Sequence, residues 1–253
     1  MENIVLCQNA EQNMQISKIK NLILESLIPS YCYGCGRAET YLCEDCFEVI
    51  DSLPHSVCPH CKAGLGMGKL RKDCRRQLNL NRVFSCADYR DTRIKKLIND
   101  LKYNYSFALS EPLAHFAYWW LARNEYLDVV QQNIDVIIPV PVHKSKLKKR
   151  GFNHAQKIAQ HLGEALDIRA ESNLLIKTTK TKPQVETENK QERQENIKGT
   201  FEVIYDTVDN SLAGKNILLI DDVVTTGSTL SECSKVLRQS SVKEVWALTI
   251  AQD

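Results

Sequence analysis

The chain lacks any apolar run long enough to cross a bilayer, and its amino end lacks the basic start of a signal peptide. It also lacks a strong excess of either charge, because its formal net charge is +2 over 253 residues. The first absence argues against membrane insertion, and the second argues against a broad groove that tracks a phosphate backbone. We therefore expect a cytoplasmic globular protein.

Ten cysteines then need an explanation, because a reducing compartment disfavours disulfides. Six of them form three CxxC pairs between residues 32 and 61. A CxxC turn lets two thiolates reach one zinc ion, and two such turns close a structural four-sulfur site. Thioredoxin-like redox chemistry fits less well, because no βαβ pattern surrounds the pairs. The spacing predicts a zinc site formed by Cys32, Cys35, Cys43 and Cys46.

A second metal site is incomplete in the sequence. Cys58 and Cys61 form the third pair, but only Cys74 follows nearby, and Arg71 stands where a fourth ligand would be expected. Three other side chains are candidates to complete the site: His55, His60 and Cys86. The sequence does not rank these three candidates, so the question of whether a second zinc ion binds stays open.

The clearest functional signal follows four apolar residues at 217–220. Such a run predicts a strand covered on both faces, as in parallel sheets, and Asp221 and Asp222 would sit at its carboxyl end, where open α/β sheets bind ligands. The small residues that follow open a predicted helix, whose free N–H groups and dipole attract a phosphate. The predicted phosphate-binding residues are Val223, Val224, Thr225, Thr226, Gly227, Ser228 and Thr229.

Two rival interpretations of this segment fit less well. A Walker A loop needs a lysine after its second glycine, and none is present. A response-regulator receiver needs several βα units after its paired acids, but the residues up to 253 suffice for one helix and one strand.

A basic segment follows a second predicted buried strand at 134–140. The cations are Lys144, Lys146, Lys148, Lys149 and Arg150. One interpretation is a solvated basic loop; the other is a set of cations that neutralises a pyrophosphate at the same sheet edge as Asp221 and Asp222. Asn153 is expected to cap the next helix, which continues through Leu166.

Taken together, these segments resemble the ComF family. The stretch around Asp221 and Asp222 resembles the signature of type I phosphoribosyltransferases. The other matching features are the CxxC pairs, Pro139-Val140-Pro141, Arg150-Gly151-Phe152-Asn153, Gln184, Arg193, Asn196 and Phe201. Arg71 and Lys177 depart from the family pattern, which usually has cysteine and arginine there. The resemblance implies a double zinc ribbon joined to a phosphoribosyltransferase-like domain.

The resemblance also implies roles for particular residues. Asp221 and Asp222 would hold the ribose hydroxyls of phosphoribosyl pyrophosphate (PRPP), residues 225–229 would surround its 5′-phosphate, and Mg(II) would accompany the pyrophosphate. Lys148 and Arg150 join the two acids as expected catalytic residues. Further expected PRPP ligands are Lys144, Lys149, Arg193 and Lys102. Family membership implies a role in natural competence, with single-stranded DNA and other competence proteins as partners.

We therefore expect an α/β fold with a mostly parallel, doubly wound sheet and a small N-terminal zinc-ribbon domain. The expected segments are a helical stretch at 1–30, the ribbon at 31–82 and a phosphoribosyltransferase-like domain at 83–253. The expected function is phosphoribosyl transfer to an unknown acceptor. The alternative is a non-catalytic PRPP sensor that binds single-stranded DNA.

Overall fold

A computed structural model describes residues 30–51, 56–103, 107–179, 197–204 and 212–253. The expected helical stretch before residue 30 lies outside these residues, as do His55, Gln184, Arg193 and Asn196. The chain divides into two compact units, one ending at Cys46 and the other running from Phe47 to Asp253. In the described part of the chain, no helix has the length and apolar character needed to span a bilayer.

A four-stranded sheet forms the centre of the larger unit. Its strands are β1 (Arg82–Asp88), β2 (Val136–Pro139), β5 (Asn216–Val224) and β6 (Glu244–Gln252). They lie in the order β1-β6-β5-β2, and every neighbouring pair is parallel. Two short strands, β3 (Leu175–Lys177) and β4 (Phe201–Val203), form a separate antiparallel pair. The predicted parallel sheet is confirmed.

Eight described α-helices accompany these strands. They are α1 (Glu44–Asp51), α2 (Lys72–Leu78), α3 (Thr92–Tyr103), α4 (Ser110–Arg123), α5 (Leu127–Asn133), α6 (Lys144–Arg150), α7 (His154–Leu166) and α8 (Ser228–Arg238). Single 3₁₀ turns occur at Gly66–Gly68 and Phe107–Leu109. Helix α8 connects the parallel neighbours β5 and β6, as parallel sheets require, whereas α3, α4 and α5 connect β1 to β2 at the opposite edge of the sheet.

The sheet buries apolar side chains on both faces, because its strands are apolar at successive positions. On one face, Leu219 and Ala247 belong to a core cluster that also contains Leu78 of α2 and Leu230 of α8. On the other face, the Phe84 ring contacts those of Trp246 and Trp120, with centroids 6.2 and 6.5 Å apart. Helices therefore cover both faces, as a doubly wound fold predicts.

One local prediction was wrong. Asn153 stands immediately before α7, at the capping position, but its side chain does not cap the helix. Instead its amide Nδ2 donates to the carbonyl oxygen of Val140, at 3.0 Å. The buried carbonyl that follows β2 needs a donor, and Asn153 supplies it, so the residue joins α7 to the end of β2.

Candidate functional site

The two acids of the candidate site occupy consecutive positions in β5, which continues two residues beyond them to Val224. Successive side chains of a strand point to opposite faces of a sheet. Asp221 pairs in register with Thr249, and its Oδ1 accepts a hydrogen bond from the backbone N–H of Asp222 at 2.9 Å. The Asp222 carboxylate forms an ion pair with Lys102 of α3, with Nζ and Oδ1 2.9 Å apart.

The charges at this edge of the sheet perturb one another. Burial, together with the neighbouring Asp222 carboxylate, raises the pKa of Asp221 to about 7. Burial lowers the pKa of Lys102, but the charge and hydrogen bond of Asp222 outweigh this, so that the pKa is raised. Burial and the charge of Lys146 lower the pKa of Lys177 to about 8. The edge therefore holds closely spaced acids and cations.

The predicted phosphate loop follows β5 directly. Gly227 has φ of +77° and immediately precedes α8, so the first N–H groups of that helix open at the end of the sheet. The Thr226 and Ser228 hydroxyl oxygens are 2.8 Å apart. Free helix N–H groups beside two hydroxyls suit an anion such as a phosphate.

The loop packs against the segment that carries the third CxxC pair. A Cβ atom added to Gly227 would lie 2.9 Å from Cδ2 of Leu78 and 3.3 Å from Cγ of Pro59. Asn79, the residue after α2, accepts hydrogen bonds through its carbonyl oxygen from Ser234 and Arg238 of α8, at 2.6 and 2.7 Å. The cysteine-bearing segment therefore supports the predicted phosphate loop and its helix. The sequence did not predict this contact.

The basic segment forms α6, which is separated from β2 by four residues. Strand β2 is the neighbour of β5, and the backbone N–H of Val140 donates to the carbonyl oxygen of Ile220 at 2.8 Å. Burial and then the charges of Arg150 and Lys102 lower the pKa of Lys146, whereas the charges of Asp222 and Asp221 act to raise it. Lys144 and Lys148 are exposed, and within the described residues neither forms an ion pair. The side chain of Lys149 is not described.

The first cysteine cluster brings the four predicted thiols together. The Sγ atoms of Cys32, Cys35, Cys43 and Cys46 all lie within 4.8 Å of one another. Cys43 Sγ is 3.7 Å from Cys32 Sγ and 3.5 Å from Cys35 Sγ. A tetrahedron with Zn–S bonds of about 2.3 Å places its sulfurs about 3.8 Å apart, so the four side chains fit one zinc ion.

Backbone N–H groups favour the thiolate form of Cys32 in this cluster, whereas burial raises the pKa of Cys43 and Cys46. Burial disfavours a thiolate at Cys32, but the N–H groups of Cys35, Cys43 and Gly34 outweigh burial and lower its pKa to about 6. A thiolate is the form that binds a metal. The arrangement of the four sulfurs therefore suits a closed structural site, and the hydrogen bonds at Cys32 favour its metal-binding form.

The second cluster contains three thiols. The Sγ atoms of Cys58, Cys61 and Cys74 lie within 4.8 Å of one another, and those of Cys61 and Cys74 are 3.4 Å apart. Neither His60 nor Cys86 belongs to this group among the described residues. Hydrogen bonds from the Ala63 N–H and the Cys74 thiol lower the pKa of Cys61, and the charge of Arg71 makes a smaller contribution in the same direction. The three thiols could hold a metal ion, with one coordination position left to another ligand.

The first and third CxxC pairs adopt the same turn. In the first, the Cys32 N–H donates to Arg37 O at 2.8 Å and the Gly36 N–H donates to Cys32 O at 2.9 Å. In the third, Cys58 and Lys62 make the corresponding bonds to Ala63 O and Cys58 O, both at 2.8 Å. Lys62 takes the place of Gly36 and also has positive φ, at +57°. Both pairs therefore share the turn geometry that lets two thiols of a CxxC pair approach one metal ion.

Comparison with known proteins agrees with this arrangement. A family profile described as the phosphoribosyl transferase domain matches residues 114–253. Competence protein F of Haemophilus influenzae is 31% identical over 221 residues, which cover 85% of this chain and 92% of that protein. The chain belongs to the phosphoribosyl transferase family, within its ComF group.

Other similarities are more distant. Competence protein ComFC of Bacillus subtilis is 28% identical to this ComF-family chain, over 79% of each protein. The structure of a hypoxanthine phosphoribosyltransferase from Staphylococcus aureus aligns with 57% of this chain and 65% of its own length, at 16% identity and a TM-score of 0.35.

Local sequence patterns did not mark several residues at the candidate site of this ComF-family chain. Lys102 was expected only from the family resemblance, because its partner Asp222 lies far away in the sequence. Nothing local marked Pro59 and Leu78 as neighbours of Gly227. His154, which contacts Arg150 at 3.1 Å, was visible only as one more polar residue after the basic segment.

Proposed function

We propose that this protein binds PRPP together with Mg(II) and transfers its phosphoribosyl group to an acceptor of unknown identity, in natural competence or the use of incoming DNA. The observation that carries the proposal is the succession of Asp221, Asp222 and the Gly227 loop at the carboxyl end of one parallel strand. The competence names of its relatives support the cellular role.

Each part of the substrate has a matching group. The hydroxyls at residues 226 and 228 and the first N–H groups of α8 would receive the 5′-phosphate. The carboxylates of Asp221 and Asp222 would accept hydrogen bonds from the ribose hydroxyls. Cations near the end of β2, Lys146 and Arg150 among them, would face the pyrophosphate.

Transfer would break the bond between C1 and the pyrophosphate oxygen as a nucleophile of the acceptor bonds to C1. Positive charge develops on the ribose ring during this step, and the nearby acids favour it electrostatically. Mg(II), which prefers oxygen ligands, would neutralise the leaving pyrophosphate, and the acids are suitable direct or water-mediated partners. The protein residues mainly hold the ribose and the two phosphate groups in a fixed geometry.

A calorimetric titration with PRPP and Mg(II) tests binding. Changing both Asp221 and Asp222 to Asn should weaken binding and stop any release of pyrophosphate. Asp167→Asn is the matched control, because Asp167 is exposed and asparagine tolerates its left-handed backbone. Unchanged binding after loss of both site acids would contradict the proposal.

The second candidate is a protein that binds PRPP without catalysis and uses α6 to bind single-stranded DNA. The exposed lysines of α6 favour it. Neutralising Lys148, Lys149 and Arg150 should then weaken DNA binding and reduce its dependence on salt. PRPP binding without pyrophosphate release, together with such DNA binding, would favour this candidate over the transferase.

A further inference from the structure

Arg150, the last residue of α6, carries a positive charge that no described carboxylate neutralises. Its NH1 lies 3.1 Å from His154 Nε2, and its guanidinium lies 5.4 Å from the centroid of the Tyr103 ring. By contrast, three other arginines are each paired with an aspartate: Arg37, Arg90 and Arg93. Within the described residues, Arg150 therefore contacts the uncharged rings of His154 and Tyr103, and no carboxylate offsets its positive charge.

His154 is suited to hold Arg150 without neutralising it. The residue is 2% exposed, and its ring packs edge-on against Phe152, with centroids 4.7 Å apart. Burial lowers the pKa of His154 to about 4; the charge of Asp222 opposes this shift and the charges of Arg150 and Lys102 add to it, so that the ring is neutral at pH 7. Because guanidinium nitrogens only donate, Nε2 accepts from Arg150 and the ring proton sits on Nδ1.

The position of Arg150 relative to the acid pair follows from its neighbours. Tyr103 comes directly after Lys102, which pairs with Asp222. His154 begins α7, which packs against β2 and β5. The guanidinium therefore lies between the end of α3 and the start of α7, at the carboxyl edge of the sheet.

We propose that His154 is a positioning residue: its neutral imidazole fixes the Arg150 guanidinium over Tyr103, so that an uncompensated positive charge faces the pyrophosphate group of a bound substrate. This inference rests on the proposed function for the identity of the anion. A carboxylate in place of His154 would hold the arginine as firmly but would neutralise it, whereas a histidine supplies an acceptor and no charge.

The test compares substitutions at His154 that keep or remove the hydrogen-bond acceptor. His154→Phe keeps an aromatic ring against Phe152 but cannot accept from Arg150, and His154→Leu serves if the phenylalanine variant does not fold. His154→Gln restores an acceptor. His161→Phe is the matched control, because His161 lies on the same helix and contacts Glu164, with Nδ1 and Oε2 3.8 Å apart.

Calorimetry with PRPP and Mg(II) should give a dissociation constant about tenfold higher for His154→Phe than for the wild type, since a hydrogen bond to a charged group is lost. The glutamine variant should recover most of the affinity, and His161→Phe should bind as the wild type does. In the Arg150→Met background, His154→Phe should cause no further loss, because the two residues act together. Equal affinity of the wild type and His154→Phe, or additive losses in the double variant, would overturn the proposal.

A second readout needs no substrate. Phenylglyoxal modification of Arg150, followed by mass spectrometry, should be several-fold faster in His154→Phe than in the wild type or the glutamine variant, because the guanidinium is released. If the wild type binds no PRPP, the proposed function fails, and the modification rate alone decides the positioning role. Equal rates in all variants would then reject it.

Discussion

Replacing Gly227 with alanine tests whether the phosphate loop rests on the cysteine-bearing segment. Gly227 has φ of +77°, and the Leu78 side chain that its Cβ would meet is 3% exposed, so it has little room to move. Gly214→Ala provides the control, since Gly214 has a similar φ of +74° and no atom within 4 Å of its added Cβ. The two substitutions share the backbone strain and differ in packing.

The expected magnitudes follow from these two contributions. A left-handed backbone costs a non-glycine residue about 1–2 kcal/mol, and this is the whole expected loss for Gly214→Ala. At Gly227 the contacts of 2.9 Å with Leu78 and 3.3 Å with Pro59 add overpacking. Overpacking in a filled core costs about 1–3 kcal/mol, so the free energy of unfolding should fall by about 2–5 kcal/mol for Gly227→Ala.

Urea unfolding of both variants and the wild type measures the difference. Calorimetry with PRPP and Mg(II) should show weaker binding only for Gly227→Ala, because relief of the contacts moves the loop. Equal destabilisation of the two variants would refute the reasoning, since it would mean that Leu78 and Pro59 do not constrain the loop.

Two predictions concern the cysteine clusters. Purified protein dialysed against a weak chelator should keep about one zinc ion per chain, held by the four-cysteine cluster. Elemental analysis should show that Cys46→Ser loses this ion and that Cys74→Ser keeps it. Retention of about two zinc ions per chain would contradict the prediction. Lys62→Gly should raise the free energy of unfolding in urea by about 1 kcal/mol, because glycine suits the positive φ of that turn. Lys69→Gly, at a residue with φ of −68°, should lower it instead, and an equal response of both variants would contradict the strain at Lys62.

The sequence predicted those parts of the site that are contiguous in the chain. The apolar run before Asp221 and the small residues after it specify a buried strand, a turn and a helix start from local patterns alone. The CxxC spacing likewise predicted which thiols of the first cluster meet. In each case the elements that form the feature lie within one short stretch.

Contacts between distant segments could not be predicted in this way. The pairing of Lys102 with Asp222 depends on how α3 packs on the sheet, and the support of Gly227 by Pro59 depends on the placement of the third CxxC pair. The role of Asn153 was misjudged for a related reason. Its position at a helix start favoured a cap, but a tertiary hydrogen bond to Val140 took its amide instead.

The balance of charge at the carboxyl edge explains why a sugar phosphate suits it better than a simple anion. The pKa of Lys177 is lowered by burial and a neighbouring cation, whereas that of Asp221 is raised by burial and a neighbouring acid. Inorganic phosphate would favour the charged form of the lysine but would repel the carboxylate. A phosphorylated ribose would place its phosphate near the cations and its hydroxyl donors near Asp221. The cations and Asp221 would then each gain an interaction that favours the charged form. In the proposed complex, selectivity for the sugar would arise from the acids, and affinity for the phosphates from the cations around them.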